Sequence, residues 1–195
     1  MEKIKVVCEN TASQIEVEMG TSLSELCEQL GIKSQYPILA AYVNNRIKEL
    51  SYRLYTPVTI RFIDATSFAG IRVLQRTAWF ILQMAVGRCY PGRKLYIRHS
   101  MGQSGFYCEI EGVKHLTTTD TDRLAEEIHR ITEADYAIRR EKLLTEEVRR
   151  RYAERGFTDK IELLDSCPRL YSDLYTMADE VGYFYGALAP SSGYL

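Results

Sequence analysis

The sequence predicts an α+β fold in two units, residues 1–63 and residues 71–195, joined by a small-residue linker over 64–70. Three observations carry this. Alternating apolar and polar residues, with hairpin signals, crowd the first unit around one short amphipathic helix. A long helical run over 67–89 follows and is stopped by Pro91-Gly92. Beyond it, helical and strand patterns mix without strict β-α-β alternation.

In the first unit, residues 3–8 alternate with Ile4 and Val6 on one face, and 14–18 alternate again with Ile15 and Val17. Asn10 and Ser13 suit the turn between them. Thr21 or Ser22 caps a short helix, with Glu25 three residues after Ser22 as in a capping box. Leu23, Leu26, Cys27 and Leu30 give that helix one apolar face, and Gly31 ends it. Residues 38–43 read as a third strand, Asn44-Asn45 as a tight turn, and 58–63 as the closing strand.

The stretches "GTSLSELCEQLGI", "LAAYVNNRIKEL" and "YTPVTIRFID" together resemble the TGS domain. This is the β-grasp module shared by threonyl-tRNA synthetases, certain GTPases and stringent-response enzymes. The resemblance covers residues 1–63. It implies a binding and regulatory unit without catalytic residues.

In the second unit, strands are expected at 94–98 and 105–110 around a glycine-containing turn. Thr119 or Asp120 caps a helix running to about residue 132, with Leu124, Ile128 and Ile131 apolar and Glu126, Glu127 and Arg130 charged. Thr145-Glu146-Glu147 opens another helix that ends at Gly156, and 159–164 form a short helical turn. "LYSDLYTM" and "VGYFYGAL" read as two aromatic-rich strands in a chain holding 14 tyrosines. The basic runs "RREK" (139–142) and "RRR" (149–151) alternate with glutamates and read as solvated helix faces.

Bulk properties narrow the function. A net charge of -1 excludes an extended basic face for nonspecific phosphate binding, while a local patch remains open. The longest apolar run, about 78–86, is far short of the ~20 residues that span a bilayer. The opening Met-Glu-Lys-Ile-Lys-Val-Val starts as a strand, with no signal-peptide core. A cytoplasmic chain without a membrane partner is expected. The five cysteines are odd in number and none are at C-x-x-C spacing, so they read as free thiols and no metal site is expected.

The segments "GIRVLQRTAWFILQMAV", "YPGRKLYI", "SGFYCEIE" and "EKLLTEEVRRRYAERGFTDKIELL" follow the first unit in an order that resembles threonyl-tRNA synthetase. The region resembled is its N-terminal half, where the second domain hydrolyses mischarged seryl-tRNA. The late segment keeps the A-x-R-G turn. The departure falls at the chemistry. That family carries H-x-x-x-H on the first helix and a later C-x-x-x-H, which together line the pocket. Here the first pair maps onto Arg76 and Phe80, neither of which can serve as a base at neutral pH. No histidine follows His129 and the last cysteine is Cys167, so the second pair has no counterpart. Editing by the family's mechanism is therefore not expected.

The ending "VGYFYGALAPSSGYL" is similar to the junction region of bacterial uridine kinase-like proteins, which join such an N-terminal half to a P-loop kinase. No G-x-x-x-x-G-K-[ST] run is present. The resemblance implies a non-catalytic, ligand-binding and regulatory region from which the kinase domain is missing. Its partners would be that kinase in cis and a nucleoside or amino-acid-like molecule. ATP and Mg would belong only to the missing domain, and this chain would hold no cofactor. The alternative is a tRNA-binding region of a threonyl-tRNA-synthetase-like protein. A third reading is an aminoacyl-tRNA hydrolase using Cys108 and His99.

Six residues are the pocket candidates, with none assigned a catalytic role. Arg76 offers a cation to a carboxylate or phosphate, or else snorkels to solvent or pairs with an acid. Trp79 is a stacking wall or a core residue, and Phe80 is core. Arg98 could bind anions with Arg76, and His99 beside it is a hydrogen-bonding contact or an exposed histidine. Cys108 lies on the next strand, facing either way. His115 and His129 read as solvated.

Overall fold

The computed structural model describes residues 2–102 and 105–195. It shows a mixed α+β architecture with three sheets. Strands β1 (Lys3–Cys8), β2 (Ser13–Glu18), β3 (Ala40–Val43), β4 (Arg46–Glu49) and β5 (Val58–Ile63) form one sheet, in the order β2-β1-β5-β3-β4. β1 runs parallel to β5, and the other pairs are antiparallel. The alternation read from the sequence has its physical cause here. Ile4, Val6 and Cys8 turn inward, and helix α1 (Leu23–Gln29) lays Leu23 and Leu26 over them. The Ser22–Glu25 capping box closes in both directions, at 2.7 and 3.2 Å. Asn44 and Asn45 both take positive φ, as the turn between β3 and β4 demands. The third strand begins at Ala40, two residues later than the alternation suggests.

Helix α2 (Phe68–Cys89) follows, capped by Ser67 Oγ on the Gly70 amide at 3.0 Å. The linker is thus not a loose tether. Asp64 is buried, and Phe68, Ala69 and Gly70 already belong to the helix. A Cβ on Gly70 would lie 1.7 Å from the Asp64 carbonyl oxygen, so only glycine lets the chain turn so tightly into α2. Leu39, Ala40 and Ile63 of the first sheet's end pack with Val73 of α2 and with Ala187 and Ala189 in one apolar cluster.

The rest of the chain adds a hairpin, β6 (Leu95–Met101) and β7 (Gly105–Ile110), then α3 (Thr118–Glu133), β8 (Ile138–Leu144), α4 (Thr145–Glu154), α5 (Thr158–Ser166), β9 (Tyr171–Met177) and β10 (Glu180–Gly182). β8, β9 and β10 form an antiparallel sheet with β9 central. Met1, and Gln103 and Ser104 in the expected glycine-containing turn, lie outside the described residues.

Three elements differ from the sequence reading. The cap of α3 is Thr117, whose side chain accepts from the Asp120 amide while the Asp120 carboxylate accepts from the Thr117 amide. "RREK" lies on β8, paired along its length with β9. Arg139, Arg140 and Lys142 are exposed and Glu141 is half-buried, so four charged residues in a row hide the strand's two-residue period. Of the two strands expected in the tail, "LYSDLYTM" forms β9, whereas "VGYFYGAL" pairs only over its start as β10, after which the chain crosses α2 as an irregular segment. Backbone groups of that crossing bond to α2 side chains instead, with Ala189 N donating to Thr77 Oγ1 at 2.9 Å. No helix among the described residues is long and apolar enough to cross a membrane.

Candidate functional site

Residues four apart on α2 share a face, and Arg76 and Phe80 do so under the crossing segment 184–189. Phe80 is fully buried. Its ring lies 5.2 Å from that of Phe184, and Phe184 in turn meets Tyr175 edge-on at 5.8 Å. Leu188 is buried in the same cluster. Arg76 Nε donates to the Ala187 carbonyl at 2.9 Å. Burial lowers the basicity of Arg76, and Tyr175 and Glu49 work against that; the guanidinium remains charged at neutral pH.

Phe184 and Leu188 are the residues that sequence reasoning missed. They stand in an F-x-x-x-L spacing, equal to that of the absent C-x-x-x-H, and they pack in one cluster with Phe80. The spacing is legible in the sequence, but two apolar residues carry no sign of a site. Arg76, bound to backbone, and the apolar side chains of Phe80, Phe184 and Leu188 meet at this point.

The remaining candidates sit on the β6–β7 hairpin or face it. Trp79 packs edge-on against Phe106, centroids 4.9 Å apart. Arg98 pairs with Glu109 at 2.8 Å on an exposed surface and does not join Arg76. His99 stacks on Tyr107 at 5.3 Å and is exposed. Cys108 Sγ contacts the Phe106 carbonyl, and burial pushes its thiol up, away from thiolate chemistry. His115 is exposed, and His129 pairs with Glu133 at 3.1 Å. Among the described residues no group of three or more His, Cys, Asp or Glu is gathered as a metal would need.

Farther along α2 the structure opens. A cleft of about 560 Å³ lies between Gln83–Arg88, the start of β6 and the α4–α5 corner. Lys160 of α5 is its central cation, another residue the sequence did not mark. Its ammonium lies 4.0 Å from the Phe157 ring centre and 3.4 Å from Gln83 Oε1. Burial pulls Lys160 down to about 8. Gln83 is held from behind by Glu180 and by the Val181 carbonyl, at 2.8 and 2.9 Å. Arg155 is tied to Asp179 and Glu180, while Arg93 and Lys94 have no carboxylate partner among the described residues. A lone lysine after an R-G turn has no sequence signature; only folding brings it beneath α2.

No family model matches the chain. It is 31% identical over 91% of its length to a threonine-tRNA ligase of Symbiobacterium thermophilum. It is 29% identical over 93% to that of Rubrobacter xylanophilus, and 25% identical over 91% to threonine-tRNA ligase 1 of Bacillus subtilis. The chain spans 27% or 28% of those proteins, under a third of their length. These relatives overturn the reading of a uridine kinase-like regulatory region. The likeness that suggested it rested on the last fifteen residues, whereas the ligase likeness runs nearly end to end. With it goes the ground for a kinase domain in cis, and for its ATP and Mg. The chain resembles a threonyl-tRNA-synthetase-like region over most of its length.

Proposed function

We propose that this chain is a tRNA-binding region of a threonyl-tRNA-synthetase-like protein and that it does not edit. In this reading residues 1–63 are a TGS β-grasp module and residues 71–195 an editing-like domain. One observation supports it: Phe80, Phe184 and Leu188 pack together where this reading would put the hydrolytic side chains, within a likeness to threonine-tRNA ligases that covers 91% of the chain. The fold is kept and the proton chemistry is gone. The cleft beside that plug supports binding. Lys160, Arg93 and Lys94 offer cations to phosphate or to a terminal carboxylate-like group, and the Phe157 ring lines the wall.

Gel shifts with threonine tRNA at two salt concentrations test this. Binding is expected, weakening steeply with salt and weakening further in Lys160→Ala with Arg93→Ala. Seryl-tRNA is expected to survive incubation with the chain. Absence of a shift at low salt overturns the binding reading. Deacylation that disappears in His99→Ala overturns the non-editing reading in favour of a different set of reacting groups.

A further inference from the structure

A second cleft, on the other side of Arg76, carries a different chemistry. It holds about 510 Å³ between the end of β5, the loop after α1 and the first turn of α2. Three cations line it: Lys33, Arg61 and Arg72. Its one carboxylate, Asp64, is already engaged by the Ser34 hydroxyl and by the Thr66 amide and hydroxyl. These hydrogen bonds hold Asp64 below the ordinary carboxylate range. Lys33 and Arg72 have no carboxylate partner among the described residues, and the Arg61–Glu9 pair is open, at 3.6 Å with both side chains half exposed.

Aromatic faces interleave these cations. Arg72 lies 4.5 Å over the Phe68 ring and Arg61 lies 4.8 Å over Tyr42. Phe68 is 71% exposed, at the first position of a 22-residue helix. The ring carries the Arg72 guanidinium and otherwise stands exposed to a stacking partner. The helix end adds its own pull on anions. The amides of Phe68 and Ala69 have no partner within the helix, since Ser67 takes only that of Gly70.

We infer that this cleft binds a nucleoside phosphate, the phosphate held by Arg61, Arg72 and the α2 amino end, and the base stacked on Phe68. Arg61, Arg72 and Phe68 line the same cleft, and the exposed ring face away from the Arg72 guanidinium is left for a base. Two sources share this chemistry, a free nucleotide and an unpaired stretch of RNA. The site is separate from the Lys160 cleft and does not depend on how that cleft is used.

The test uses the whole chain, a short fluorescein-labelled single-stranded RNA followed by anisotropy, and AMP followed by calorimetry. Phe68→Ala is expected to weaken binding by about tenfold, the loss of one stacked base. Arg61→Gln with Arg72→Gln is expected to lower the slope of log affinity against log salt by about 1.4, two contacts on a single strand. All these side chains are exposed, so thermal melts should match the wild type and report intact folding. AMP binding that is lost in the variants assigns the site to a free nucleotide. RNA binding lost in the variants without AMP binding assigns it to a strand. If neither probe binds, or if the variants bind both as the wild type does, the inference falls. Lys160→Ala serves as the separate arm: an effect there alone speaks for the other cleft and against this one.

Discussion

The rings of Phe80 and Phe184 meet at 5.2 Å with a 56° tilt, and in the proposed reading they take the place of two hydrolytic side chains. Replacing only the α2 positions therefore cannot restore the chemistry. Arg76→His with Phe80→His is expected to leave seryl-tRNA intact and to lower stability by about 2–4 kcal/mol. The loss comes from a cavity beside Phe184 and an imidazole without a partner. Urea unfolding and a deacylation assay check both halves, and turnover in the double variant would defeat the account of a sealed pocket.

Gly182 sets how closely those rings approach the sheet. A Cβ there would lie 2.6 Å from Phe184 Cε2 and 3.0 Å from Phe80 Cε2. Phe80 has no room to retreat, being fully buried. Gly182→Ala is expected to cost about 1–3 kcal/mol by overpacking, read in urea unfolding. An unchanged midpoint would mean that the rings are free to shift, and the plug looser than drawn.

Arg76 could be read from sequence as a ligand-facing cation or as a structural one, and its bond to Ala187 favours the second. Arg76→Ala is expected to lower stability by about 1–2 kcal/mol, because the Ala187 carbonyl loses its donor in a half-buried setting. Thermal melting that is unaffected would return Arg76 to the ligand-facing role.

Glu49 of β4 joins the first sheet to the second unit. Arg140 of β8 reaches its carboxylate at 3.2 Å and also holds Asp173 at 2.8 Å, and the Tyr175 hydroxyl lies against Glu49 and the Gly186 carbonyl. A double-mutant cycle over Glu49→Gln and Arg140→Gln is expected to show a coupling of about 0.5–3 kcal/mol. Burial and the Glu49 charge push the Tyr175 phenol well above its ordinary value. Its stabilising share is present below the unfolded phenol's range near pH 10 and is lost as pH rises above it. Additive single effects would mean that Glu49 merely lies beside β8.

The sequence made plain what depends on local period and caps. Ile4, Val6 and Cys8 alternate because one sheet face is buried, and Ser22 with Glu25 marks a helix start whatever surrounds it. It could not show what depends on tertiary pairing. The strand at 138–144 exists because β9 offers it a ladder, and its charges belong to partners 33 and 91 residues away, Asp173 and Glu49. The Phe184 and Leu188 plug was missed for a related reason: apolar residues at helical or strand spacing look like core wherever they stand. Only contact with Phe80 gives them meaning.

Lys160 offers the last prediction, and its sign is opposite to that of Tyr175. Burial lowers its folded value to about 8 from the ordinary lysine value of 10.5. Between these two the unfolded chain binds more protons than the folded one, so this residue makes stability rise with pH through that window. At pH 7 both states hold the proton and the full cost of burying the charge is present. Lys160→Met should therefore raise the melting temperature at pH 7, with the gain shrinking as pH climbs from about 8 towards 10.5. Melting curves of both proteins across that range decide it. A gain independent of pH would mean that methionine merely packs better against Phe157.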